Sequence, residues 1–340
     1  MQIDGYMDSS GALVKASRKL LPAFTLALAA TGLCAGPAWG QAWPQKQIRV
    51  IIGFAAGGTP DFAIRIVAPK LTESLGQPVI IENRPGAGAS TAMEAAARAP
   101  ADGYTLAVGT LGSMLFAKAL FPKAAFDPVT SFDPISFIAK TNFIAAAQSS
   151  LPIKNLRDLI ALAKSQPGKL SYGSSTPGSP PHILAEMFKA QAGVDILSVT
   201  FKGSADAATA FLGGTVQMIF DAYPTIGPLV SSGKAIPLVV TGSTRKKELP
   251  DVPTAVEAGM PDYAVESWIG IVSVAGTPEP ILRRLNAEVV KIMATKEAQD
   301  GMVKIGLEPA SNSIEQFRAV VKSDWPKWNA AIKAAGVTSQ

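Results

Sequence analysis

Short apolar runs alternate with stretches whose apolar residues recur at helical spacing, along almost the whole chain. Ile48–Phe54 reads as a strand, and Phe62–Leu75 as a helix stopped by Gly76. Val79–Glu82 is a strand leading into the loop Asn83-Arg84-Pro85-Gly86-Ala87-Gly88; Thr91–Arg98 is a helix and Thr105–Gly109 a strand. This βαβαβ order predicts a parallel sheet with helices on both faces. Two runs, Ile135–Ala139 and Phe143–Gln148, then lie close together before Ser149-Ser150-Leu151-Pro152.

A second βα series follows. It comprises helix Leu156–Lys164, strand Leu170–Gly173, helix Pro181–Ala192, strand Val199–Lys202, helix Ala205–Leu212, and strands Met218–Asp221 and Ile236–Thr241. Trp268–Val274 is a further strand, and the amphipathic helices Ile281–Ala294 and Ile314–Ala334 finish the chain. No tandem repeat at a solenoid period is present. The expected organisation is α/β with two similar lobes, each a mainly parallel sheet flanked by helices. Residues 41–144 plus 268–340 form the first lobe and 145–267 the second, so the chain crosses between them twice.

Residues 1–40 stand apart from this pattern. Lys15, Arg18 and Lys19 precede the apolar run Leu20–Leu33, and Ala38-Trp39-Gly40 ends it with small residues. That is the pattern of a secretory signal peptide, with a stop-transfer anchor as the alternative; Met7 is a candidate start. The single cysteine, Cys34, lies in this segment, in a poor context for acylation, so cleavage after Gly40 leaves a chain without disulfides. A disulfide-free exported protein must rely on burying a core, which about 300 residues can do. The net charge of +5 falls by one without residues 1–40 and is dispersed. Nucleic acid is not an expected partner.

Four strand-to-helix junctions share one chemistry. Gly57-Gly58-Thr59, Gly109-Thr110, Gly173-Ser174-Ser175-Thr176 and Lys202-Gly203-Ser204 each put glycine and hydroxyls at the carboxyl end of a strand. In open α/β sheets that edge binds ligands, and a helix N-terminus there is an anion site. The first junction is neither a dinucleotide fingerprint nor a Walker loop, which points to a small anion such as a carboxylate. Thr59 is the expected N-cap with Pro60 at N1, so donors must come from Gly58, Thr59, Asp61 or Phe62. Asp61 is either a ligand group or a carboxylate favoured by the helix dipole. Asp221, ending its strand, would attract an amino or hydroxyl group, or cap a helix. Phe54 and Trp268 are candidate aromatic walls, with core packing the alternative, more so for Phe54.

Enzymatic chemistry finds little support. His182 is the only histidine; as a general base it would need an orienting carboxylate and a nucleophile, and no G-x-S-x-G elbow is present. A capping or cleft-wall role suits it better. No metal-ligand spacing and no cofactor motif occur, so no catalytic residue, metal or cofactor is expected.

An ordered set of segments spanning the chain after Gly40 resembles a known family. The segments include Trp43-Pro44, Phe54-Ala55-Ala56-Gly57-Gly58 with Asp61, Leu75-Gly76-Gln77-Pro78-Val79 and Glu82 to Gly88. They continue with Ala101-Asp102-Gly103-Tyr104-Thr105, Lys202-Gly203-Ser204, Phe220-Asp221, Leu249 to Thr254, Glu257-Ala258-Gly259 and Ala275-Gly276-Thr277-Pro278. The chain resembles the Bug-type extracytoplasmic solute receptors of tripartite tricarboxylate transporters. The resemblance implies a two-lobed, type II-like flytrap in the periplasm, monomeric, capturing a small carboxylate for membrane transporter subunits. It implies a carboxylate held at Gly57, Gly58, Thr59, Asp61, Gly109 and Thr110. From the second lobe it implies Ser174, Ser175, Thr176, His182, Gly203, Ser204 and Asp221. Four positions depart from the family pattern: Ala56, Pro60, Phe201 and Ala222. Fewer polar groups in the second lobe favour an aromatic or aliphatic carboxylate over an acidic amino acid. The same lobes presenting a solute to a membrane kinase, or a periplasmic hydrolase, are the alternatives.

Overall fold

The computed structural model describes residues 43–334 and 336–337. The expected signal peptide, Cys34 and the alternative start at Met7 lie outside the described residues. The strands are β1 (Ile48–Ile52), β2 (Val79–Asn83), β3 (Thr105–Thr110), β4 (Phe132–Gln148), β5 (Ser171–Ser174), β6 (Leu197–Thr200), β7 (Met218–Ala222), β8 (Ala235–Val240), β9 (Glu266–Val274) and β10 (Glu308–Pro309). The α-helices are α1 (Thr59–Leu75), α2 (Ser90–Ala97), α3 (Ala117–Leu120), α4 (Leu156–Ser165), α5 (Pro180–Ala192), α6 (Ser204–Leu212), α7 (Tyr223–Ser231), α8 (Glu279–Met293), α9 (Lys296–Lys304) and α10 (Ile314–Ala334).

β1 is apolar on both faces because it runs between β2 and β3, parallel to each. Its neighbour α1 ends as Gly76 enters the left-handed region at φ 69° and donates its N–H to the Thr72 carbonyl. β5 likewise pairs in parallel with β6 and β7. The pairings nearer the middle are antiparallel: β3 with β9, β9 with β4, and β4 with β7, β8 and β10. Both sheets are therefore mixed rather than mainly parallel. The cause is the crossing itself, since β4 carries the chain one way and β9 carries it back.

The two runs expected near residue 140 form one long strand. Lys140, Thr141 and Asn142 interrupt the apolar pattern, yet they pair with Trp268, Ser267 and Glu266 of β9. From Phe143 onward β4 pairs instead with β7 and β8. A strand that changes sheets can be polar in its middle, because neither core covers that stretch. Three helices were not expected: the single turn α3, and α7 and α9. α7 holds Pro224, Gly227 and Pro228, which read as breakers. Pro224 falls in the first turn, where no N–H is needed. At Gly227 an added Cβ would lie 2.7 Å from the Tyr223 ring, so the glycine lets that ring pack on the helix. α9 is short, and β6 begins two residues ahead of its expected position. No helix among the described residues is long and apolar enough to cross a membrane.

An aromatic cluster anchors the crossing. Trp268 stacks on Phe137 with centroids 5.6 Å apart and meets Phe317 edge-on at 5.0 Å. Its Nε1–H donates to Asp324 Oδ2 at 3.3 Å, which satisfies the indole in the core. Gly270 in β9 makes room for this cluster: an added Cβ would stand 2.5 Å from the Phe317 ring and 2.9 Å from the Ser136 carbonyl oxygen. Gly270→Ala is therefore expected to destabilise the protein by about 1–3 kcal/mol. Denaturant unfolding checks this; an unchanged midpoint would contradict the tight approach.

Candidate functional site

The β1–α1 turn is built from inside. Gly57 adopts φ +80°, a conformation that favours glycine, and its N–H donates to Asp61 Oδ2 at 3.0 Å. The same Asp61 carboxylate accepts from Arg65 Nε at 2.8 Å and from Asn83 Nδ2 at 3.0 Å. Burial alone would raise the Asp61 carboxyl. The Arg65, Gly57 and Asn83 hydrogen bonds, with the Arg65 charge, outweigh it and hold the group below the usual carboxylate range. The Gly58 N–H donates to the Ala55 carbonyl at 3.3 Å. Gly58, not Thr59, is the N-cap, and Pro60 sits one place later than expected. The orphan N–H groups of the first turn are thereby those of Thr59 and Asp61. Thr59 Oγ1 is buried with no hydrogen-bond partner.

The start of α6 offers a matching set. Gly203 is its N-cap in extended conformation, and the Ala207 N–H closes the first turn onto the Gly203 carbonyl. The N–H groups of Ser204 and Ala205 lie ahead of that bond, at the positive end of the helix. This turn faces the first one closely: a Cβ on Gly203 would lie 3.1 Å from the Ala55 Cβ. The start of α5 is different. Pro180 and Pro181 occupy its first two positions and remove two donors, leaving apolar rings instead.

These turns enclose a cavity of about 60 Å³. That is room for on the order of four water-sized groups, a carboxylate and a short chain. Phe54, Gly58, Thr59, Thr110, Ser175, Thr176, Gly203, Ser204 and Asp221 line it, all expected from the sequence. Gly57, Asp61, Gly109, Ser174 and His182 do not. Gly57 and Asp61 bond each other behind the turn. Gly109 pairs with Gly270 inside the sheet, and a Cβ there would meet Met114 and Val272. Ser174 ends β5, with a buried, unpartnered hydroxyl. Trp268 is core and Phe54 is wall, the reverse of the expected balance, because Trp268 lies on β9 among Phe137 and Phe317.

His182 is 8% exposed and its Nδ1 accepts the Gly178 N–H at 3.2 Å, so Nε2 carries its proton. Burial holds its pKa below the ordinary value, so it is neutral near pH 7. It braces the loop before α5. Thr110 is also partly used within the chain: its N–H donates to Ser113 Oγ and its side chain accepts from the Ser113 N–H, each at 2.9 Å. Its side chain still reaches the cavity wall.

Sequence reasoning missed several wall residues. Thr141, Phe143, Ser267 and Ile269 come from β4 and β9 at the crossing, where nothing local marks a site. Pro85, Pro180 and Pro181 add apolar surface, and Ala55 and Pro60 complete the first turn. Lys202 stands at the rim, exposed, and was legible as the residue before Gly203. Lys202 and Asp221 are the charged groups in the wall. Asp221 is 4% exposed, and burial pushes its carboxyl up to about 6 against the pull of hydrogen bonds from Ser204, the Ala222 N–H and Thr225. No cluster of metal ligands occurs among the described residues. The arrangement suits reversible anion capture: N–H groups of two helix starts face one cavity, and hydroxyls surround them.

Known proteins resemble this chain over most of its length. Residues 63–337 match the family described as "Tripartite tricarboxylate transporter family receptor". Protein BugT of Bordetella pertussis is 28% identical over 319 residues, covering 94% of this chain and 98% of BugT. The structure of Rpa4515 from R. palustris with adipate superposes with a TM-score of 0.82 at 34% identity, covering 87% of this chain and 99% of that one. MatC from Rhodopseudomonas palustris with bound malate gives 0.81 at 30% identity, over 85% and 100% of the two chains.

Proposed function

Because this chain belongs to the tripartite tricarboxylate transporter receptor family, we propose that it is a periplasmic receptor that captures a small dicarboxylate and hands it to the membrane subunits of such a transporter. Residues 1–40 direct export and are removed. The part bearing β1–β3 and the part bearing β5–β7 act as two lobes that close on the ligand about the β4–β9 crossing. Like Rpa4515 with adipate and MatC with malate, the protein takes an aliphatic acid. No catalytic role is assigned.

One observation carries this reading: two helix starts, one from each sheet, face each other over a single hydroxyl-lined cavity. Helix N-termini stabilise an anion without a buried counter-charge. Thr59 supplies an N–H and a free hydroxyl, and Ser204 and Ala205 supply two N–H groups from the other side. Every carboxylate oxygen enclosed there needs a donor, and these four supply them. Phe54, Phe143 and the prolines cover the methylene chain.

Thermal-shift and calorimetric titration with succinate, malate, adipate and citrate tests this. A concentration-dependent rise in Tm with at least one of them is expected. No rise with any carboxylate would refute it. The Lys202 rim charge makes a smaller contribution. Lys202→Gln is expected to weaken binding about two- to fivefold at low salt, with the difference fading at high salt. An undiminished difference at high salt would mean the lysine contacts the ligand directly.

A further inference from the structure

We propose that Asp221 makes capture depend on a hydrogen between ligand and wall: a dicarboxylate with no donor on its chain takes up a proton as it binds, whereas a hydroxy-dicarboxylate supplies the hydrogen itself. The proposal rests on the carboxylate-receptor reading above and specifies the ligand chemistry of that site.

Asp221 ends β7, opposite Ile144 of β4, and forms part of the cavity wall. Its Oδ1 accepts the Ala222 N–H at 2.7 Å, and it makes no ion pair among the described residues. A dianionic ligand brought into this cavity would put three negative charges beside one lysine, and that lysine is exposed at the rim. The two helix starts can satisfy one carboxylate. Asp221 lines the same small cavity, so the second carboxylate is enclosed with it.

Two ionised carboxylates are both acceptors only, so nothing can bond them without a hydrogen between them. One proton turns the clash into a short charge-assisted O–H···O⁻ bond. It comes from solvent, forms one O–H bond, and leaves the pair with a single negative charge. A ligand hydroxyl solves the same problem without a proton from solvent, by donating to ionised Asp221.

The neighbouring elements hold no group that would cancel the Asp221 charge instead. α5 carries His182, bonded to the Gly178 N–H, and Glu186 with Lys189, which pair with each other. β5 contributes Tyr172, whose hydroxyl donates to Glu186. α6 carries Asp206 in its first turn and follows Lys202. α7 starts with Tyr223, which lies against Lys246. β4 bears Lys140 and Asp133 in the half that pairs with β9, while β8 has no ionisable side chain. In the free protein burial already lifts Asp221 to about 6. A ligand carboxylate beside it raises that value further.

The sign of the pH effect follows. Above pH 6 free Asp221 is ionised and the succinate complex is protonated, so affinity falls with rising pH, approaching tenfold per unit. Below pH 6 the affinity for succinate levels off.

Succinate and malate differ by one hydroxyl and form a matched pair for the test. Titration calorimetry of the exported chain at pH 7, in buffers of different ionisation enthalpy, counts the protons taken up. Uptake near one is expected for succinate and near zero for malate, with selectivity for malate rising about tenfold or more from pH 6 to pH 8. Asp221→Asn keeps an oxygen for Ala222 and brings its own donor; its succinate binding should take up no proton and lose its pH dependence. Succinate binding without proton uptake by the unaltered protein, a measurement that needs no variant, would overturn the proposal and leave the receptor reading intact. Equal uptake with malate, or uptake retained in Asp221→Asn, would overturn it too. Failure of every carboxylate to bind would remove the receptor reading and this proposal together.

Discussion

Gly203→Val is expected to weaken carboxylate capture by at least about a hundredfold while leaving the free protein folded. The reason is where the glycine stands, not its own backbone. Gly203 has φ −170°, an extended conformation that any residue adopts. Valine is therefore unstrained locally, and unfolding in denaturant should change little. In the closed cavity, though, its Cβ would already lie 3.1 Å from the Ala55 Cβ. The two further methyls of valine cannot fit, so the α1 and α6 turns are held apart. The donors of Thr59 and Ser204 then no longer converge on one carboxylate, and a misplacement of about 1 Å is costly when geometry supplies the affinity. Calorimetry with the best-binding acid is the check. Full affinity in Gly203→Val would mean that the ligand is held without the two turns meeting.

Asp61→Ala is expected to destabilise the fold by about 3 kcal/mol or more and to impair binding as well. Asp61 is 2% exposed, and its carboxylate ties together the turn, the helix and β2 through Gly57, Arg65 and Asn83. Removing it orphans the Gly57 and Asn83 donors, each costing about 1–3 kcal/mol if left buried. Arg65 is half exposed and recovers its hydration, so its loss counts for less. The carboxyl is held below its ordinary value. Its contribution is therefore present above the unfolded carboxylate range and is lost as pH falls through the lower folded value. Denaturant midpoints at pH 7 and at pH 3 check both parts: the gap between the unaltered protein and Asp61→Ala should narrow in acid. A variant as stable as the parent at pH 7 would place Asp61 outside the structural network.

The same residue shows how far local pattern carries. The glycines ahead of α1 mark a helix start with free N–H groups, and in the structure that helix start lines the cavity. Whether Asp61 faces the cavity or the interior depended on Asn83 and Arg65. Asn83 is far along the chain, so no spacing rule could announce the bond. Phe54 and Trp268 tell a similar story. Both are aromatics beside strand ends, and only the packing of Phe137 and Phe317 around the indole separates core from wall. At α5 the prolines were visible in the sequence, and their chemistry denies that helix an anion site.

By itself, the sequence determined the alternation of strands and helices, the glycine and hydroxyl junctions at strand ends, and the ordered motifs that mark the family. These are properties of short segments, where backbone sterics and hydrophobic periodicity act within a few residues. Only the tertiary structure decided that β4 passes between sheets as one strand, that antiparallel pairs form the crossing, and which junction residues meet. It also decided that the residues Thr141, Phe143, Ser267 and Ile269 of β4 and β9 complete the wall, and that the carboxylate of Asp221 is enclosed there while that of Asp61 turns away. Such outcomes depend on which distant side chains compete for the same space and the same hydrogen bonds, and that competition exists only once the chain has folded.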